Sequence, residues 1–155
     1  MKSKIQIVLF FLLATSCFKE ISFEEYKFCK NQIWEHDSSI FFNYIVKDTI
    51  NRNKITIKVR HTTDYEFQNL FLLINTETTR DTLEIKLADK EGSWLGSGIG
   101  DVREREVFYK KNILFDNKKK FVFEIKQAMR YGDLAKIQKL EGIIAVGLSI
   151  RKEDE

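Results

Sequence analysis

The sequence predicts an all-β domain, an antiparallel β-sandwich, on three observations. Apolar and polar residues alternate with period two in several separate stretches, most clearly Ile55, Ile57 and Val59 against Thr56, Lys58 and Arg60. The composition, with 13 Phe, 5 Tyr and 2 Trp beside many Ile and Val, suits a pleated, half-buried surface. Helix-like spacing is confined to one stretch, Gln127 to Glu141. About seven regularly spaced strands with almost no helix point to two packed antiparallel sheets. A jelly-roll winding is the expected order, although periodicity alone does not determine strand order.

Taken along the chain, Phe18 to Lys30 is aromatic and charged and reads as a tether that becomes an irregular or edge segment. Phe42, Tyr44 and Val46 share one strand face, with Asn43 and Ile45 on the other. Asp48 to Lys54 is a turn, and Ile55 to Arg60 is a half-buried strand. His61 to Glu66 breaks the pattern. Asn69 to Asn75 is apolar on both faces, which places it centrally in a sheet. A polar turn, Thr76 to Arg80, precedes a strand with Leu83, Ile85 and Leu87 on one face. Gly92 to Asp101 holds four of the seven glycines and must be a loop. A short strand is expected at Val107 to Tyr109, with Ile113 to Phe115 as a second piece. Phe121, Phe123 and Ile125 define the next strand. In the helical stretch, Asp133 is placed to cap a turn with Leu134, Ile137 and Leu140 on one stripe. Ile144, Val146, Leu148 and Ile150 form the last strand, and 151–155 is a charged tail. The chain has no proline, so its turns must rely on Asn, Asp and Gly. The domain plan is thus a leader over 1–16, a tether and first segment over 17–38, the sandwich over 39–150, and the tail.

The leader rests on its own pattern. Lys2 and Lys4 precede an apolar run, Ile5 to Leu13, then the small residues Ala14-Thr15-Ser16 and Cys17. This is the layout of a bacterial secretory signal whose cleavage leaves a cysteine at the new N-terminus. The run is too short for a membrane span, which takes ~20 residues. Three readings follow: a lipoprotein with Cys17 acylated, a secreted protein with Cys17 free or paired, and a cytosolic protein whose first strand is buried. The first is favoured. Position 14 is Ala where bacterial lipoproteins most often carry Leu. Phe18 follows the cysteine where Asp would suggest retention at the inner membrane, so the outer membrane is the expected site; Lys19-Glu20 is a weak version of a surface-export tract. Cys29 is then the sole remaining cysteine and reads as a small half-buried residue.

Removing 1–16 leaves 139 residues, one domain with enough chain for a core. Losing Lys2 and Lys4 reduces 26 Lys+Arg to 24, against 23 Asp+Glu. The near-balance argues against nucleic acid as a partner, and the basic run Lys118-Lys119-Lys120 reads as a solvated turn.

Little in the chain carries chemistry. Gly96-Ser97-Gly98-Ile99-Gly100 lacks the following helix that a phosphate-binding loop needs, and reads as structural. No Cys and His have metal-ligand spacing, and no cofactor is implied. Trp34-Glu35-His36-Asp37 sets an imidazole between two carboxylates, with Ser38 and Ser39 next, but alternate strand residues face opposite ways. Surface polarity is the plainer reading. Asp81, Asp89, Asp101 and Asp133 read as strand and loop ends rather than Ca²⁺ ligands. Trp34 and Trp94 are candidates for stacking on a sugar ring or anchoring a protein partner, Trp94 being the better placed. The alternative for Trp94 and Leu95 is that they fold back and plug one end of the sandwich.

Asp81-Thr82-Leu83-Glu84, Leu87-Ala88-Asp89 and the run Gly92 to Asp101 resemble the central block of the gliding-motility lipoprotein GldH family of Bacteroidota. Gln127-Ala128-Met129-Arg130, Gly142-Ile143 and Val146-Gly147-Leu148 resemble its C-terminal block, and Tyr65, Phe67, Asn69 and Leu70 the segment leading into it. With the leader and Cys17, the likeness spans nearly the whole chain. It implies an envelope lipoprotein needed for gliding, an accessory or assembly component of machinery coupled to type IX secretion, with no catalytic residues and Cys17 as the acylated residue. The expected role is that of a lipid-anchored, non-enzymatic interaction protein. Its partners are the membrane, through the acyl chains on Cys17, and gliding or secretion proteins, met through the loop bearing Trp94, Leu95, Gly96 and Asp101. The other reading is an envelope-tethered carbohydrate-binding sandwich with Trp34 and Trp94 as its platform.

Overall fold

A computed structural model describes residues 21–116 and 120–153. The chain forms two four-stranded antiparallel sheets and one short two-stranded ribbon. The strands are β1 (Ile21–Phe28), β2 (Ile33–Glu35), β3 (Ile40–Tyr44), β4 (Asn53–Thr62), β5 (Asn69–Asn75), β6 (Arg80–Lys86), β7 (Val102–Ile113), β8 (Phe121–Gln127), β9 (Lys139–Glu141) and β10 (Ile143–Lys152). One sheet has the order β1-β10-β4-β7, the other β3-β8-β5-β6.

The pairing has one rule. β5 pairs with β6, β4 with β7, β3 with β8, β2 with β9 and β1 with β10. The chain is therefore one long hairpin, folded at the β5–β6 turn and wound up. Winding brings β10 beside β4 and β8 beside β5, which closes the two sheets. This is the jelly-roll order expected from the sequence.

The inner faces of the strands supply the core. Phe42, Tyr44, Ile57, Leu70, Leu72, Ile74, Phe123, Ile125 and Leu148 are all fully or almost fully buried. Alternation in β3 is strict, with Ile40, Phe42 and Tyr44 buried and Phe41 and Asn43 exposed. β5 has the bounds and the interior place that its two apolar faces predict. The sheets are linked at both flanks. Phe23 of β1 meets Tyr44 of β3 edge-on at 5.6 Å, and the Tyr109 hydroxyl of β7 donates to Asp81 of β6.

Three expectations need correction or completion. Gln127 to Glu141 is not a helix, and no α-helix forms among the described residues. The Gln127 side chain points inward, where its amide nitrogen donates to the Ile137 carbonyl (2.8 Å) and its oxygen accepts from the Met129 amide (2.9 Å). Ile137 N also donates to Met129 O, and Gly132 turns the chain at φ 54°, so 128–138 is a folded-over loop. The proposed stripe is split: Leu140 is buried in β9 while Leu134 is 60% exposed. Secondly, the pieces near 107 and 113 are one strand of 12 residues beginning at Val102. Its charged residues Arg103, Glu104, Arg105 and Glu106 hide it from a hydrophobicity pattern. Thirdly, Ile21–Phe28, within the segment expected to be a tether, is an edge strand, β1, of the sandwich itself.

The molecule has two distinct ends. One gathers the start of β1, the end of β10, the start of β4 and the end of β7, in the register Ile21↔Arg151, Arg151↔Lys54 and Asn53↔Ile113. The other gathers the end of β1, the end of β4 and the start of β7, together with the loops 63–68, 87–101 and 128–138.

Candidate functional site

The loop end is assembled by backbone contacts that glycine alone permits. Ser97 N donates to Glu104 O (3.1 Å) and Glu104 N to Ser97 O (2.7 Å), so the glycine-rich loop doubles back along the edge of β7. A Cβ on Gly96 would lie 2.1 Å from the Glu104 carbonyl oxygen, and one on Gly98 would lie 1.9 Å from that of Val102. The glycines thus serve close backbone approach, not a ligand. Thr63 N donates to Asp101 O (2.7 Å), Thr62 N to Gly142 O (2.8 Å), and the amides of Leu87 and Ala88 both donate to Gln68 O. These bonds tie the 63–68 and 87–101 loops together and to Gly142, and the 128–138 loop joins them through the Phe67–Tyr131 ring contact.

Aromatic rings run through it. Trp94 packs on His61 (4.8 Å between ring centroids), His61 on Tyr65 (5.9 Å), Tyr65 on Phe67 (5.7 Å) and Phe67 on Tyr131 (5.7 Å). The series begins in the interior, where His61 is fully buried, and ends at Tyr131, which is 67% exposed. His61 Nδ1 donates to the Thr62 carbonyl at 2.9 Å, and its Nε2 has no hydrogen-bond partner. Burial, opposed by the Thr62 bond and reinforced by nearby Arg103, lowers the imidazole pKa. Tyr65 donates to Asn69 O (2.9 Å), and burial raises its pKa.

Of the residues expected to meet a partner, Trp94 and Leu95 are half-buried, with Leu95 N donating to Leu87 O. Gly96 sits at φ 91°, and Asp101 is exposed while its carbonyl holds Thr63. Trp94 therefore plugs the end of the sandwich. The exposed apolar groups here are Ile99 (92%), Tyr131 and Leu134. None of the three was expected as a contact residue from the sequence, although Ile99 between Gly98 and Gly100, and Tyr131 before Gly132, are large apolar residues beside turn glycines. Beside them lies a groove of about 610 Å³ lined by Glu66, Phe67, Glu84, Lys86, Lys90 and Leu95.

The other singled-out residues are dispersed. Trp34 is 1% exposed, and its indole N–H donates to Ser38 O. It cannot form a sugar platform with Trp94. His36 is half-buried, with Glu35 and Asp37 both exposed and Asp37 turned toward Lys136. Ser39 donates to Glu124. Asp81 accepts from Tyr109 and pairs with Lys110, Asp89 accepts from Ser93 N, and Asp133 lies in the Tyr131–Leu134 turn. Cys29 is half-buried, and burial pushes its thiol up to about 11, which keeps it protonated at neutral pH. Cys17 and the leader lie outside the described residues.

A second polar feature covers the outer face of the β1-β10-β4-β7 sheet. The Tyr26 hydroxyl donates to Glu104, which also receives Arg60 at 2.7 Å, and Lys58 bridges Glu24 and Glu106. Burial works to lower the Lys58 pKa, but the Glu24 hydrogen bond and the nearby Tyr26 and Glu106 raise it on balance. This network accounts for the burial of Lys58, a residue on the strand face expected to be polar.

Several of the residues that carry the family resemblance meet at the loop end. Tyr65, Phe67, the run from Leu87 to Asp101 and Gly142 are joined there by the bonds and ring contacts above, whereas Asp81 faces Tyr109 and Lys110 near the end of β7 and Val146 to Leu148 lie within β10. Comparison with known proteins agrees. The family model described as GldH lipoprotein matches residues 21–150, from the first residue of β1 into β10. A gliding motility lipoprotein GldH homolog of Christiangramia forsetii is 36% identical over 163 residues, covering 99% of each chain. The gliding motility lipoprotein GldH of Flavobacterium johnsoniae is 34% identical over 154 residues, covering 96% of this chain and 95% of its own. With a matched sandwich and near full-length relatives, the chain belongs to the GldH lipoprotein family, whose members are lipid-anchored proteins of the cell envelope with a role in gliding motility.

Proposed function

We propose that this protein is a non-enzymatic, lipid-anchored interaction component that supports assembly or stability of the gliding and type IX secretion machinery at the outer membrane. One observation carries the reading. The glycine-rich run from Leu87 to Asp101, the longest piece of the family resemblance, lies at the loop end with Tyr65, Phe67 and Gly142, and β1 runs the length of the sandwich from Ile21 at the opposite end to Phe28 beside it. Eight residues of strand set the loop end roughly 25 Å beyond Ile21. Acyl chains on Cys17 hold the domain at the membrane surface, and the loops face away from it. Confinement raises the effective concentration near envelope partners, so modest contacts suffice. Ile99, Tyr131 and the groove between Glu66 and Leu95 offer apolar anchors within a charged rim, the usual make-up of a contact surface.

Affinity isolation from gliding cells tests this reading, comparing wild type, Cys17→Ala and the pair Ile99→Asp with Tyr131→Ala. Wild type brings down gliding or secretion components, the loop pair loses them, and Cys17→Ala leaves the membrane fraction and stops motility. Recovery of no such component by wild type, or full motility without membrane attachment, overturns it.

A further inference from the structure

The end of the sandwich opposite the loops combines exposed aliphatic side chains with cations. Ile50 is 86% exposed, Ile45 64%, Leu114 55% and Ile21 46%. They belong to one surface. The 45–52 loop is joined to the last strand by Glu153 N donating to Arg52 O and by Lys152 facing Asp48, and to the end of β7 by Arg52 donating to Asn112 O. Lys47, Arg52, Lys111 and Lys120 are exposed around them. Two of the acidic groups at this end are engaged by backbone amides, while Asp116 beside Leu114 is exposed. Asp48 accepts from the amides of Ile50 and Asn51, and Glu153 accepts from the Asn112 amide.

The chain length outside the described residues says what lies against this surface. Three residues separate Cys17 from Ile21, and the four Cα-to-Cα steps between them reach about 14 Å at most when fully extended. We infer that this end of the domain is a second membrane contact, with Ile50, Ile45 and Leu114 entering the headgroup region and the surrounding cations meeting lipid phosphates. The inference rests on acylation of Cys17. Long cationic side chains around an aliphatic tip are the arrangement that suits an interface of apolar tails and anionic headgroups. Two attachments, lipid and surface, hold the sandwich upright, whereas a tether alone lets it swivel. The loop end is thereby kept facing away from the bilayer.

The test uses the full-length acylated protein in vesicles of phosphatidylethanolamine and phosphatidylglycerol whose acyl chains are brominated, with Ile50→Trp as the reporter and Leu114→Trp as an independent second. Both native indoles, Trp34 and Trp94, lie toward the other end and serve as the control. The new indole is expected to lose most of its emission to bromine while the native pair keep theirs. Adding Arg52→Glu with Lys111→Glu should restore it. Mass spectrometry of the same sample reports acylation at Cys17. An unacylated terminus removes the tether and the inference with it. An acylated protein whose indoles at 50 and 114 stay bright overturns the inference alone. Quenching seen only at high protein-to-lipid ratio, with chains cross-linked through this end, assigns the surface to a second copy and overturns it too.

Discussion

Tyr26 of β1 lies over Gly147 of β10, its cross-strand neighbour, so closely that a Cβ at 147 would fall 2.8 Å from the ring. The Arg60 guanidinium lies over that ring at 4.9 Å from its centroid, and the Tyr26 hydroxyl reaches Glu104 across two intervening strands. The glycine in a central strand is thus the seat of an aromatic brace. Gly147→Ala should displace the ring and lower stability by about 1–3 kcal/mol. Urea unfolding measures it. Adding Tyr26→Ala should recover part of the loss, since the displaced ring is then gone.

Gly96 and Gly98 meet backbone, whereas Gly100 at φ 63° has open space around it. Gly98→Ala should therefore part the loop from β7, and hydrogen exchange at the Ser97 and Glu104 amides should quicken markedly. Gly100→Ala should cost only the left-handed strain of ~1 kcal/mol and leave those amides protected. Equal exchange in the two variants would contradict the close-approach account.

Glu124 ties three elements together. It accepts from Asn75 of β5 (2.9 Å) and Ser39 before β3 (2.8 Å), and pairs with Lys126 (2.9 Å). The Asn75 bond first, then Lys126 and Ser39, lower its carboxyl to about 2. A lowered acid stabilises the fold fully above the unfolded Glu value of ~4.3 and loses that contribution as pH falls toward the folded value. Melting temperature should drop between these limits in wild type. Glu124→Gln should flatten that part of the profile and cost about 1 kcal/mol at neutral pH.

His61 gives a second pH response, in a different window. Its pKa is lowered by burial, so the neutral ring contributes fully above the unfolded value of ~6.5, and that contribution is lost as pH falls through the folded value. Because the ring packs on Trp94, acidification below neutrality should shift indole emission as the loop end loosens. His61→Phe, which cannot titrate, should hold the emission constant over the same range.

How much of this was legible in the sequence varies with the range of the interactions concerned. β5 could be bounded by inspection because burial of both its faces leaves an uninterrupted apolar run. β3 showed itself by alternation, which records one wet and one dry face. β7 did not, because the charges that pair with Lys58 and Arg60 across the sheet look like loop residues when read along the chain. The false helix arose similarly, since Gln127 stabilises the 128–138 loop through bonds that have no local signature. At the candidate site, the glycine-rich loop was recognisable from composition. The half-burial of Trp94 was not, because it depends on packing against His61, a residue more than thirty positions away.

By itself, then, the sequence determined that the chain is an all-strand body, and it carries over 1–16 the pattern expected of a leader before Cys17, because strand periodicity and a short apolar run with a small-residue boundary are local patterns. The tertiary structure alone decided the winding, the burial of Trp34 and the division of the molecule into a loop end and an opposite end rimmed with aliphatic and cationic groups. Those follow from which strands pair, and pairing is a contest among distant segments for the same hydrogen bonds and the same dry face. A single strand cannot record the outcome.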